Sequence, residues 1–144
     1  MDRVERSPDE YLASLSVEVG AQMRQLDELI AGAMPGRSRT LWEGVFWGGT
    51  DQSILGYGDI VQDRPRGGVE WFAVGLARQK ASFSIYVNAV EDGAYIGQAY
   101  GQRLGKVKIG AASIGFRSVD DLDLKVLAQM IAQVDRVTPP DRRL

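Results

Sequence analysis

The chain has 144 residues, 44% of them hydrophobic and 25% charged, carries a net charge of −2, and contains neither cysteine nor histidine. That length supports one domain with its own core, and the two absences exclude disulfides, thiolate nucleophiles, ordinary zinc sites, imidazole bases and so most hydrolytic triads. A metal would have to take oxygen ligands, acid–base chemistry would fall to Asp, Glu, Tyr or Lys, and the slightly negative balance argues against nucleic acid as the main partner.

Residues 1–6 are charged and read as a disordered end. Ser7-Pro8-Asp9-Glu10 is a helix start, with Ser7 as N-cap and proline at the first helical position, predicting a short helix from Pro8 to Leu15. Ser16 caps a second helix, in which Val19, Met23, Leu26, Ile30 and Ala33 form an apolar stripe while Arg24, Gln25, Asp27 and Glu28 face water or flank it. Pro35-Gly36 ends that helix.

Thr40 to Trp47 and Ser53 to Val61 read as strands around a Gly48-Gly49-Thr50-Asp51 turn. Glycines inside the second, in Gly56-Tyr57-Gly58, predict a close backbone approach, a bulge or room for a ligand. Gln62 to Gly68 reads as an exposed loop. Val69 to Asn88 is the central hairpin: an apolar run through Ala77, a connection at Arg78-Gln79-Lys80, and a run in which Phe83, Ile85 and Val87 alternate with Ser84, Tyr86 and Asn88.

Glu91 to Leu104 reads as helix, Lys106 to Gly110 as a basic loop or short strand, and Ala112 to Phe116 as a strand. Ser118 to Asp121 caps a final helix with Leu124, Leu127, Ala128, Ile131 and Val134 as its packing stripe. Residues 138–144 read as a disordered charged tail. No apolar run approaches a membrane span and the N-terminus lacks the apolar core of a signal peptide, so the expectation is a cytoplasmic protein with no membrane partner.

Few residues carry chemistry on their own. Gly105 to Gly110 has P-loop spacing, but Ala111-Ala112 stand where lysine and a hydroxyl must follow, which rejects nucleotide hydrolysis of that kind. Arg103, Lys106 and Lys108 can still hold a small anion, although a solvated basic loop is the simpler reading. Glu43, a carboxylate in an aromatic strand, must be exposed, paired or held in a pocket. The acidic Asp9, Glu10, Glu18, Asp27 and Glu28 read more simply as a solvated face than as a metal ridge, since carboxylates alone would hold iron only weakly.

Several separated stretches together resemble the YdhG-like family of bacterial domains of unknown function. They are Leu41-Trp42-Glu43-Gly44, Ser53 to Gly58, Glu70-Trp71-Phe72 with Val74-Gly75-Leu76 and Lys80, Ser84 to Val87, Leu104 to Gly110, and Ile114-Gly115-Phe116 leading to Asp120 to Asp123. The resemblance implies one α+β domain, a mostly antiparallel sheet with N-terminal and C-terminal helices packed against it. Some members are described as frataxin-like iron chaperones, which implies iron as an alternative ligand; no metal ligands carry over residue by residue. Ser113 stands where similar sequences often have cysteine.

The expectation is a non-catalytic binding module for a small anionic ligand, with its cofactor and oligomeric state unspecified. Lys80, Lys106 and Lys108 would neutralise charge, Tyr57 and Tyr86 stack or donate hydrogen bonds, and Glu43 orient a donor. The alternatives are the iron chaperone and a protein-interaction or oligomerisation domain using Trp42, Phe46 and Trp47. Catalysis by a Glu–Lys or Glu–Tyr pair would require strong pKa tuning by burial.

Overall fold

The computed structural model describes residues 1–45 and 49–141. It is an α+β fold: seven strands form one antiparallel sheet, with helices covering one face. In chain order come β1 (Asp2–Arg3), α1 (Pro8–Ala13), α2 (Val17–Ala33), β2 (Arg39–Val45), β3 (Asp51–Tyr57), β4 (Ile60–Arg64) and β5 (Gly67–Trp71). β6 (Val74–Arg78), β7 (Phe83–Val87), β8 (Val90–Glu91), β9 (Ala94–Tyr95), α3 (Ile96–Tyr100), β10 (Lys108–Ile109), β11 (Ser113–Phe116) and α4 (Leu124–Val137) follow. The sheet runs β1-β2-β3-β6-β7-β11-β10, while β4-β5 and β8-β9 are separate hairpins.

Both N-terminal helices start where their serines place them. Ser7 Oγ accepts from the Glu10 N–H and Ser16 Oγ from the Val19 N–H, each satisfying an orphan donor of the first turn. The α2 stripe of Met23, Leu26 and Ile30 and the α4 stripe of Leu127, Met130, Ile131 and Val134 are fully buried. They pack on Leu41, Leu55, Leu76, Phe83, Ile85 and Ile114 from the sheet. The cap of α4 is Asp123, whose carboxylate accepts from the Lys125 and Val126 N–H groups; Ser118 caps a separate turn of 3-10 helix at Val119–Asp121.

The central hairpin is correct at β6-β7 and wrong before it. The run that reads as one strand breaks at Phe72-Ala73, where the Asn88 side chain donates to the Phe72 carbonyl over 2.9 Å and the Asn88 N–H donates to the Ala73 carbonyl. β5 therefore pairs with β4 instead of joining the sheet, and the expected exposed loop at 62–68 is largely strand. Gly58, at φ +83°, marks the other break, between β3 and β4.

The β4-β5 hairpin carries Trp71 and Phe72 onto the face of the sheet opposite the helices, where they join Trp42, Ile54 and Ala77 in a second core. Trp71 and Phe72 are buried against each other and Trp42, on the face of the sheet away from the helices. Gly56 and Gly75, paired across β3 and β6, leave the room for this: a Cβ on Gly56 would lie 2.6 Å from the Trp42 indole nitrogen, and one on Gly75 would run into the Phe72 ring. Close approach of rings to backbone explains these glycines.

The ends also differ from expectation. Asp2–Arg3 pairs with Glu43 and Trp42 of β2. Arg3 lies over the Trp42 ring and bonds to Glu70 at 2.9 Å and to Asp59. At the other end Asp141 accepts from the Ser38 and Asp59 N–H groups, and Arg37 donates to Asp135 and to the carbonyls of Thr138 and Pro139. The expected helix from Glu91 begins instead with β8-β9, turned at Asp92-Gly93, both with positive φ.

Candidate functional site

The helix-covered face contains a charge network around a buried aspartate, and it is structural. Asp27, only 7% exposed, lies beneath α2 and does not face water as its helical position suggests. Its Oδ1 accepts from the Tyr57 hydroxyl at 2.7 Å and from Arg39 Nε at 2.8 Å, and its Oδ2 accepts from Arg39 Nη2 at 2.8 Å. Arg39 also reaches Asp9 at 2.9 Å. Burial, then the Asp27 charge, holds the Tyr57 phenol well above its ordinary value, so it stays a neutral donor.

The network removes two residues from their expected roles. Tyr57 is 1% exposed, with its hydroxyl committed to Asp27. Asp27 is likewise unavailable to the acidic surface proposed for iron. Among the described residues, no three His, Cys, Asp or Glu side chains gather in a metal-binding arrangement.

The other predicted site residues are dispersed. Glu43 is half-buried and accepts from Ser53, directly opposite it on β3, at 2.8 Å. It pairs with no lysine or tyrosine that would make it an acid–base partner in the described hydrogen bonds and ion pairs. Lys80 is exposed in the β6-β7 turn. Tyr86 lies on the opposite face of the sheet from Tyr57, since Phe83, Ile85 and Val87 take the helix side of β7. Trp42 is buried in the second core, removing it from an exposed aromatic patch, and Phe46 and Trp47 lie outside the described residues.

Lys106 and Lys108 do come together. With Arg117 they line a concavity of about 560 Å³ beside the β10 edge, together with Ser82, Gln102, Gly115 and Asp121. Three cations therefore face one carboxylate. Their backbone is pinned: Lys106 N–H donates to the Asp121 carbonyl at 2.8 Å, Asp123 N–H donates to the Leu104 carbonyl at 2.8 Å, and Gly105 bridges to Leu122. Gly105, at φ +115°, allows that bridge, because a Cβ there would run into the Asp121 carbonyl. The Gly-x4-Gly segment is thus a held basic arm at the sheet edge. Arg117 was not signalled by any periodicity or spacing.

A second, larger cleft of about 750 Å³ opens between the β4-β5 hairpin and the free face of the sheet. Its described lining includes Arg64, Trp71, Tyr86, Asn88, Tyr95 and Ser113. Tyr86 is oriented by Gln79, which donates to its hydroxyl at 3.2 Å, and by Gln52, which accepts from it at 3.4 Å. Burial raises the Tyr86 phenol above its ordinary value, against the lowering effect of bonds to Ser84, Gln79 and Gln52. Arg64 lies 5.5 Å from the centre of the Trp71 ring and donates to Gln62. Tyr95 falls within the span that reads as helix from Glu91, where nothing marks it as a site residue; the Asp-Gly turn before it is the signal that separates it from the helix.

No helix among the described residues is long and apolar enough to cross a membrane. Compared with models of protein families, with characterised proteins and with solved structures, the chain finds no match.

Proposed function

We propose that this protein is a non-catalytic binding module for a small anionic ligand, held in the concavity of Lys106, Lys108 and Arg117. The observation that carries this reading is the excess of three cations over the single Asp121 carboxylate around a concavity whose basic arm is pinned at Gly105 and Lys106. The lysines act as mobile point charges, while the planar guanidinium of Arg117 can present two parallel donors to one phosphoryl or carboxylate group. Ser82 and Gln102 add neutral hydrogen-bonding groups. Of the three lysines expected to neutralise charge, Lys106 and Lys108 belong to this site in the present reading, and Arg117 takes the place of Lys80.

Because these cations are solvent-exposed, binding is salt-sensitive and weakens as the Debye length shortens from about 30 Å at 0.01 M to about 10 Å at 0.1 M ionic strength. Inorganic pyrophosphate followed by calorimetry at low salt tests the reading. The Lys106→Gln, Lys108→Gln, Arg117→Gln triple variant is expected to lose at least tenfold in affinity with an unchanged melting curve. Equal binding by the variant, or no heat from the wild type at low salt, would overturn it.

A further inference from the structure

We infer that the ligand of the basic concavity is a nucleoside phosphate, whose heteroaromatic ring occupies the neighbouring cleft between the β4-β5 hairpin and the free face of the sheet. This rests on the anion-binding reading above and adds to it the second half of the ligand. The two hollows share strand β11. Ser113 lines the cleft and Gly115 lines the basic concavity. Being two residues apart on β11, they lie on one face, about 7 Å from each other. Tyr86 of β7 lines the cleft, and Ser82, in the turn just before β7, lines the basic concavity, with Ser84 between them on the same face. An added Cβ on Gly115 would meet only the Lys108 and Phe83 carbonyls, at 3.8 and 3.9 Å, and glycine puts no side chain between the two hollows on β11.

The lining of the cleft suits a flat ring with polar edges. Trp71, Tyr86 and Tyr95 supply aromatic surface, and base–aromatic stacking accepts any base because each has a π-face. Polar capacity remains unspent as well. Asn88 uses its amide donor on the Phe72 carbonyl. Its Oδ1, the Ser113 hydroxyl and the Tyr95 hydroxyl make no hydrogen bond among the described residues, while all three residues line the cleft. A purely apolar ligand would leave these groups dry and unpaired, whereas the edge of a nucleobase can bond to them. The other hollow sets three cations against one carboxylate, whereas this one has a single cation, Arg64, and a single carboxylate, Asp63, beside its rings, which is the division of a nucleotide into phosphate and base.

Calorimetry on the intact chain with four probes tests this: inorganic phosphate, glycerol phosphate, adenosine and adenosine monophosphate. Adenosine monophosphate is expected to bind at least tenfold more tightly than glycerol phosphate. Tyr95→Leu and Ala111→Leu, the second placing neutral bulk at an exposed position on the rim, should abolish that advantage while leaving the phosphate affinity unchanged. Adenosine monophosphate no tighter than glycerol phosphate, with both bound, would overturn the inference and leave the anion site standing. Adenosine binding that phosphate does not improve would overturn the single-ligand reading. If none of the four binds, both this inference and the anion-binding reading fail. Retention of the advantage in both variants, with their melting curves unchanged, would place the ring elsewhere and overturn the assignment.

Discussion

Replacing Asp27 by alanine removes three hydrogen bonds at once, two from Arg39 and one from Tyr57. The Tyr57 hydroxyl, on a residue 1% exposed, is then stranded, which costs about 1–3 kcal/mol for a buried unsatisfied group. Breaking a fully buried ion pair costs about 3–5 kcal/mol, but Arg39 keeps 27% of its side chain exposed and retains Asp9, so its share lies well below that. The expected loss is about 3–4 kcal/mol. Tyr57→Phe leaves the Asp27–Arg39 pair intact and should cost about 1.5 kcal/mol, the value of a hydrogen bond to a charged acceptor. The double variant should be more stable than the sum of the two losses predicts, because phenylalanine has no hydroxyl to strand. Urea denaturation of the four proteins measures all of this from the midpoints at a common slope. An Asp27→Ala loss within 0.5 kcal/mol, the range of an ordinary surface change, would refute the buried network and restore Asp27 to the outer face of α2.

Phe72→Ala should cost about 3–5 kcal/mol, since the ring is fully buried among Trp42, Trp71 and Ile54; a denaturation midpoint that does not move would mean that the β4-β5 hairpin does not pack on the sheet. Asp141 is pushed up by burial, but hydrogen bonds from Ser38, Asp59 and Arg37 outweigh this and hold it below the ordinary aspartate value of 3.8. Its contribution is therefore complete above pH 3.8 and is lost as pH falls through the lower folded value. Asp141→Asn should cost about 1–2 kcal/mol at pH 7, with the gap to wild type narrowing only below pH 3.8, as midpoints collected from neutral to acid pH would show.

The sequence by itself determined the elements whose signal is local. The serine caps of α1 and α2, the apolar stripe of α4 and the alternation of β7 each follow from residues within one or two turns or one pleat. It also determined the α+β class, because two amphipathic helices and several half-apolar strands must cover one another's apolar faces. A further local signal lies inside the span that reads as helix from Glu91: Asp92-Gly93 marks a two-residue hairpin turn.

Only the tertiary structure decided which face each polar group met. Asp27 sits at a helical position that is polar on its own, and its burial depends on Arg39 and Tyr57 arriving from β2 and β3. Trp71 and Phe72 belong to an apolar run that periodicity reads as one strand; the break at Phe72-Ala73 is held by Asn88, which bonds to both carbonyls from beyond β7. Lys106 and Arg117 are eleven positions apart and meet because β10 and β11 pair antiparallel. Spacing along the chain carries information over a few residues, whereas pairing register and the side of the sheet to which a hairpin folds are set by long-range packing, which no window of the sequence contains.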